Sequence, residues 1–171
     1  VELRLKERRE QRFVLRIRKP EWMKNPTFII NGKEEELVTD SSGYCLFDRV
    51  WAHDNKIVLK YSMKPYIERL KKSDKYVALL YGPYVLAGRF GKKNLPDSFW
   101  STMNNTARRE LDLKEIPSLA YVADAVADNL KVISRNPLRF SLPMNGTKEI
   151  TIEPFYKIHF ERYIIYWLTE R

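Results

Sequence analysis

The longest apolar run of the chain, Val77–Gly88, constrains the fold most, and only Gly82-Pro83 interrupts it. Its halves, Val77–Tyr81 and Tyr84–Ala87, have the length and composition of strands and lack the alternation of a half-exposed strand. Pro83 removes a backbone donor and Gly82 favours a bend, which disfavours a helix through the run. The run therefore predicts a buried strand pair, or one bulged strand, at the centre of the core.

Short alternating segments on both sides of this run predict an all-β fold. Phe13, Leu15 and Ile17 alternate with arginines, as expected of a strand with one face in water. Asn31-Gly32 predicts a two-residue hairpin turn, because both residues tolerate positive φ. Similar segments recur after residue 129, so we expect an antiparallel, jelly-roll-like β-sandwich, or two small sandwiches, with one short helix.

The spacing of these segments suggests a division of the chain. Residues 1–90 are expected to form a β-sandwich, and 91–128 a long connection with a short helix at 120–128. Residues 129–171 are expected to form a C-terminal β unit, which either stands alone or completes the same sandwich. Because the first residues already alternate like a strand, we also expect a piece of a larger protein, whose compartment stays open.

Composition excludes some classes of protein. With 44% hydrophobic and 31% charged residues the chain is a globular protein, and it has no apolar stretch of the roughly 20 residues that a membrane span needs. The net charge of +9 raises nucleic-acid binding as an alternative. Basic doublets such as Lys92-Lys93 are scattered among acidic residues, which favours a solvated basic surface.

Cys45 is the single cysteine, which excludes an internal disulfide and a zinc site built on cysteines. Its neighbours Tyr44 and Leu46 supply neither a base nor a positive charge to form a thiolate. We therefore expect Cys45 to be a small buried hydrophobe. His53, beside Asp54, is expected in a solvated turn.

His159 is the candidate closest to an acid–base group. Glycoside hydrolysis needs two carboxylates about 5–9.5 Å apart, and no spacing in the sequence pairs the available ones, Glu153, Glu161, Asp124 and Asp128. We instead expect Tyr156 and His159 to hydrogen-bond a turn before the last strand. The sequence predicts no catalytic residue and no metal ligand, and the Tyr81-Gly82-Pro83 motif is expected to be structural.

Trp22, Trp51 and Trp100 are the candidate carbohydrate-binding residues. An indole ring suits the C–H face of a sugar, and these three border turns or lie in the long connection. Trp167, within an apolar strand, is expected in the core. Roles in the core or in a domain contact are the favoured interpretation of the three, and an independent carbohydrate-binding module stays an alternative.

Four segments resemble glycoside hydrolase family 127, the bacterial β-L-arabinofuranosidase family. Phe13–Trp22 is similar to its "LRLRIPSW" segment and Ile30–Lys33 to its "VNGK" hairpin. Ala78–Gly88 resembles "ALLYGPLVLAG", and the segments Glu153–His159 and Arg162–Trp167 resemble the "PFYRIHDSRYMIYW" ending. The segments follow the family's order and span nearly the whole chain.

The resemblance implies a role for the chain within a larger enzyme. In that family an (α/α)6 barrel carries a catalytic cysteine and a zinc site, and β-sandwich domains follow it. The chain resembles those sandwiches, so the resemblance implies no catalytic residue and no cofactor here. It implies a non-catalytic accessory region whose partner is the N-terminal barrel, with a dimer contact or carbohydrate as further partners to test.

Overall fold

The computed structural model describes residues 1–6, 9–73, 75–92, 118–119, 123–145 and 147–169. It confirms the all-β fold, because its regular structure consists almost entirely of antiparallel strands. The chain divides into two compact units, Val1–Lys64 and Pro65–Arg171. Trp100 and Lys93 lie outside the described residues.

The first unit contains two antiparallel sheets, one of four strands in the order β1-β6-β3-β4 and one of two strands, β2-β5. The strand bounds are β1 Glu2–Arg4, β2 Gln11–Arg18, β3 Lys24–Ile30, β4 Lys33–Glu35, β5 Tyr44–Trp51 and β6 Lys56–Ser62.

The two sheets of this unit share one core, as expected of a sandwich. Phe28 of β3, Phe47 of β5 and Ile57 of β6 are buried in it, and alternate residues of β2 pack against it. The Asn31-Gly32 hairpin is confirmed, since Ile30 pairs with Lys33 and both turn residues have positive φ.

The second unit is built on one eight-stranded antiparallel sheet. Six strands follow the order β10-β11-β12-β9-β8-β14, while β13 pairs with β9 and β7 with β8. The strand bounds are β7 Pro65–Arg69, β8 Tyr76–Tyr81, β9 Tyr84–Gly91, β10 Lys131–Arg135, β11 Leu138–Met144, β12 Thr147–Pro154, β13 Arg162–Ile164 and β14 Tyr166–Leu168.

The apolar run Val77–Gly88 forms the hairpin of β8 and β9, with Tyr81 opposite Tyr84 across the Gly82-Pro83 turn. Burial on both faces is confirmed. Leu79 and Leu80 are successive residues of β8 and both are buried, as are Leu86 and Ala87 in β9. Because side chains alternate between faces, successive buried residues require a cover on each side of the sheet.

Trp167 is fully buried, as predicted, and its ring packs on the backbone of Gly88. The segment around it does not form the single apolar strand that the sequence predicts. The segment forms the short strands β13 and β14, in which Tyr163, Tyr166 and Leu168 are exposed. These strands therefore bury one face only.

The division between the units lies earlier than the sequence suggested. Strands β7 to β9 pair with the later strands, so the segment after Lys64 belongs to the second unit rather than to a sandwich of residues 1–90. Residues 129–171 supply β10 to β14 of the same sheet. The boundary depends on long-range pairing, which local patterns do not report.

The α-helix expected at 120–128 is shorter in the structure. An α-helix covers Ala123–Val126, and a 3-10 helix, Ala127–Asn129, follows it. Val126 is buried in the core of the second unit, while residues 120–122 lie outside the described residues. A second 3-10 helix covers Phe155–Lys157. Among the described residues, no helix combines the length and apolar character required to cross a membrane.

We predict that Gly88→Ala destabilises the second unit. A Cβ atom at this position would lie 2.9 Å from Cζ2 of Trp167 and closer still to Cη2, and the buried indole has little room to move. Overpacking of this kind costs about 1–3 kcal/mol of unfolding free energy, which urea denaturation would measure.

The control is a double-mutant cycle with Trp167→Phe, which removes the ring atoms that the new Cβ would meet. In the Trp167→Phe variant, Gly88→Ala should lower the unfolding free energy by much less than it does beside Trp167. An equal cost in both backgrounds would show that this contact is not its cause.

Candidate functional site

An open groove on the sheet of the second unit is the candidate site. Its volume is about 480 Å³, within the range of about 300–1,000 Å³ that is usual for small-molecule sites. The lining residues come from β9, β10, β11 and β12, and they are Arg89, Ile133, Arg139, Ile150, Thr151 and Glu153.

Strand register brings the charged residues of the groove together. Glu153 of β12 pairs with Ala87 of β9, and Arg89 lies two residues further along β9 on the same face. On the other side of β12, Phe140 pairs with Ile152, which sets Arg139 opposite Glu153. The two arginines therefore flank one carboxylate from neighbouring strands.

These side chains form an ion-pair network. Arg139 Nε donates a hydrogen bond to Glu153 Oε1 at 2.7 Å, and Arg89 Nη1 lies 3.5 Å from the same oxygen. Arg89 Nη2 donates to Glu161 Oε1, and this bond, followed by the charges of Glu161 and Glu153, raises the pKa of Arg89 against the opposing effect of burial.

The carboxylates of the network are more deeply buried than its arginines. The carboxylate side chains of Glu153 and Glu161 are only 6% and 8% exposed, whereas Arg89 and Arg139 are 40% and 45% exposed. Glu153 thus lies at the floor of the groove, and the guanidinium groups extend from it toward solvent. A polar ligand in the groove would meet the arginines first.

A β-bulge places Ile133 at the groove. Val132 pairs with Phe140 and Ser134 with Arg139, so Ile133 has no partner in the ladder. Bulges redirect side chains in this way. The Ile133 residue is 57% exposed and adds an apolar wall to a polar floor.

A second polar cluster lies on the neighbouring part of the same strands. Lys131 Nζ contacts Glu149 Oε1 at 3.3 Å, and the Ser141 hydroxyl donates to Glu149 Oε2. The Ser141 hydrogen bond, and then the bond from Lys131, lower the pKa of Glu149. Lys131 and Glu149 balance each other's charge beside the groove.

Of the three candidate carbohydrate-binding tryptophans, Trp51 lies in the core, the kind of position that the sequence favoured. Trp51 is fully buried, stacks on Phe13 and donates its indole N–H to the Phe13 carbonyl oxygen at 3.0 Å. It is a core residue and offers no ring face to a sugar. Trp22 is half-buried and packs edge-on against Tyr61, so its role stays a prediction. Trp100 lies outside the described residues.

The predicted structural motif Tyr81-Gly82-Pro83 lies at the β8–β9 turn. Tyr81 packs edge-on against Phe140 in the core, and Gly82 has a φ of 57°, which a glycine adopts readily. The Tyr66 hydroxyl donates to the Gly82 carbonyl oxygen at 3.1 Å and fixes the turn.

Tyr156 and His159 are both exposed and make ring contacts. Tyr156 lies against Tyr84, with ring centroids 5.6 Å apart, and His159 lies near Phe160 at 6.5 Å. That Tyr156 and His159 hydrogen-bond a turn before the last strand stays a prediction.

The other titratable candidates agree with their expected surroundings. Cys45 is a buried free thiol that lies 3.9 Å from the Thr39 hydroxyl oxygen, as expected of a small core residue. His53 is exposed beside Asp54. In the described ranges no three His, Cys, Asp or Glu side chains are placed to hold a metal ion.

The sequence did not identify Arg89, Arg139, Thr151 and Ile133 as site residues. Arg139 is visible in the alternation of Leu138 to Leu142 as an outward residue. Which acid it meets depends on the register of β11 with β12, and the exposure of Ile133 depends on a bulge. Neither has a local signal in the sequence.

Comparison with protein families identifies both units. Residues 1–63 match the model of the middle domain of GH127 β-L-arabinofuranosidases. Residues 66–169 match the model of a domain of unknown function, DUF4986. The DUF4986 match covers more than half of the chain, so the chain belongs to the DUF4986 domain family, and its first unit is similar to the GH127 middle domain. The gap between the two matches coincides with the structural boundary at Lys64 and Pro65.

Solved structures show the same fold. The chain aligns over 99% of its length with each of three solved structures. One is described as "Glycoside hydrolase" (TM-score 0.61, 15% identity), and a second is the GH127 β-L-arabinofuranosidase Ara127N-Se from Geobacillus stearothermophilus T6 (TM-score 0.56, 16% identity). The third is the GH127 β-arabinofuranosidase BT3674 (TM-score 0.64, 16% identity). It spans 30%, 28% and 30% of those chains, respectively. Among curated proteins, a sequence search finds no match.

We predict that Glu153→Gln destabilises the second unit by about 1–3 kcal/mol, because it leaves two arginines without their shared carboxylate and a buried amide in its place. Urea denaturation at neutral pH would measure the loss. High salt should reduce it only slightly, since the carboxylate is buried.

Glu149→Gln is the matched control, on the same strand and the same face but half-exposed. Its loss should be much smaller, because exposed ion pairs contribute little. Equal losses for the two variants would contradict a special role for Glu153.

Proposed function

We propose that this chain is a non-catalytic accessory region of a family 127 glycoside hydrolase, and that a separate domain of the parent enzyme carries out hydrolysis. One observation carries the proposal. The chain matches, in order, the GH127 middle-domain model and the DUF4986 model, and the two matches divide where the structural units divide.

The geometry of the acidic residues supports this role. Glu153 and Glu161 are brought together by Arg89, which bonds to both. Most glycosidases use one carboxylic acid to donate a proton and one carboxylate to attack the sugar or activate water. Here guanidinium groups bond to both carboxylates, an arrangement suited to holding strands together and orienting the arginines.

The architecture suggests what the accessory region supplies. Each unit has its own buried core, and in the second unit an ion-pair network spans β9, β11 and β12. An accessory region built from such units suits three roles in the parent enzyme. It would stabilise the (α/α)6 barrel, shape the rim of the barrel's pocket, or provide a dimer contact.

We predict that the purified chain does not hydrolyse p-nitrophenyl β-L-arabinofuranoside or other aryl glycosides, even at high protein concentration. The parent enzyme, assayed in parallel, should hydrolyse at least one of them. Release of p-nitrophenol measured by absorbance would check both. The physical reason is that the paired carboxylates of the second unit are engaged by arginines.

A Glu153→Gln, Glu161→Gln double variant is the control against a contaminating enzyme. Hydrolysis by the purified chain that disappears in this folded variant would overturn the proposal, because it would assign catalysis to these carboxylates. Hydrolysis that persists unchanged in the variant would have to be traced to other residues of the chain or to a contaminant by further purification.

A further inference from the structure

We propose that the groove lined by Arg89, Ile133, Arg139, Thr151 and Glu153 binds a neutral sugar residue of a glycan chain. Among the described residues, its lining contains no tryptophan. It goes beyond the accessory role proposed above and does not depend on it, since a scaffold without glycan affinity would serve that role equally well.

The polar groups of the groove match paired hydroxyl groups. Arg139 uses its Nε–H for Glu153, and among the described residues its two Nη atoms make no hydrogen bond, so they remain as donors. Thr151 adds an exposed hydroxyl that both donates and accepts. Within the described part of the chain, both bonds to Glu153 go to Oε1. Donors and acceptors side by side are what a vicinal diol requires.

The arginines are held in place before any ligand binds. Their partner carboxylates are more than nine-tenths buried, Glu153 on a neighbouring strand and Glu161 immediately before β13. A guanidinium held by a buried carboxylate has lost much of its rotational freedom already. Binding then costs less side-chain entropy than it would with unconstrained arginines.

The apolar part of the groove suits the C–H groups of a sugar ring. Ile133, raised by the bulge, and the half-buried Ile150 both line the groove. A sugar is amphipathic, with hydroxyl groups at its edges and C–H groups on its faces. A groove with a charged floor and an isoleucine wall offers a contact to each.

The charge balance favours a neutral ligand over an anionic one. Arg89 and Arg139 are matched by Glu153 and Glu161 within the network, and Lys131 by Glu149 beside it. An anion would therefore meet little net attraction and would approach a buried carboxylate. A hydroxylated ligand gains hydrogen bonds without bringing a charge.

The test is a titration of the ¹⁵N-labelled chain followed by NMR, which detects weak binding residue by residue. The neutral probes are arabinotriose and xylotriose, and the anionic probe is trigalacturonate. With at least one neutral probe we expect saturable shifts of backbone signals from residues 133, 139 and 150–153. The dissociation constant should be on the order of 1 mM, because none of the described residues that line the groove is aromatic.

Two variants locate the site, and one serves as their control. Thr151→Val removes the hydroxyl at nearly constant shape, and Ile133→Thr removes the apolar wall. Each should weaken binding about fivefold or more, the effect of losing one good contact. Val132→Thr changes the adjacent residue, which is half-exposed and does not line the groove, and should leave the affinity unchanged.

Several results would overturn the proposal. One is the absence of saturable shifts with both neutral probes up to about 20 mM, well above the expected constant. Others are saturable shifts confined to residues around Trp22, binding of trigalacturonate alone, or equal affinity in all three variants. The spectra of the variants also report whether each is folded, so that a lost signal is not mistaken for lost binding.

Discussion

The packing of Trp167 on Gly88 is the contact on which the second unit depends. It joins β14 to the buried hairpin of β8 and β9, and a side chain at position 88 would exclude it. On the core face of these strands Leu79 and Leu86 are fully buried, and on the other face Ala87 lies under the charged network. The hairpin therefore supports both the apolar core and the groove.

The two faces of the sheet have different roles. The inner face provides stability by excluding water from a continuous apolar cluster. The outer face carries arginines and carboxylates whose positions follow from the pairing of β9, β11 and β12. Because strand register fixes both faces together, the core holds the arginines in a constant arrangement, which suits a scaffold and a weak recognition site alike.

The parts of the fold that could be predicted from sequence are those with local causes. The burial of most of Val77–Gly88, the Asn31-Gly32 hairpin and the buried Cys45 each follow from a few adjacent residues. The unit boundary and the pairing of Arg139 with Glu153 depend on which distant strands meet. Trp51 shows the same limit, since its position beside a turn left both a core role and a sugar platform open, and only its packing on Phe13 decides for the core.

Native-state hydrogen exchange of the chain tests most directly whether the β8–β9 hairpin is the centre of the second unit. The amides that pair within the sheet at Leu79, Leu86 and Gly88 should exchange only through global unfolding of this unit, and more slowly than those of the edge strand β10. Exchange of the hairpin at the rate of β10, while the rest of the sheet stays protected, would contradict this account.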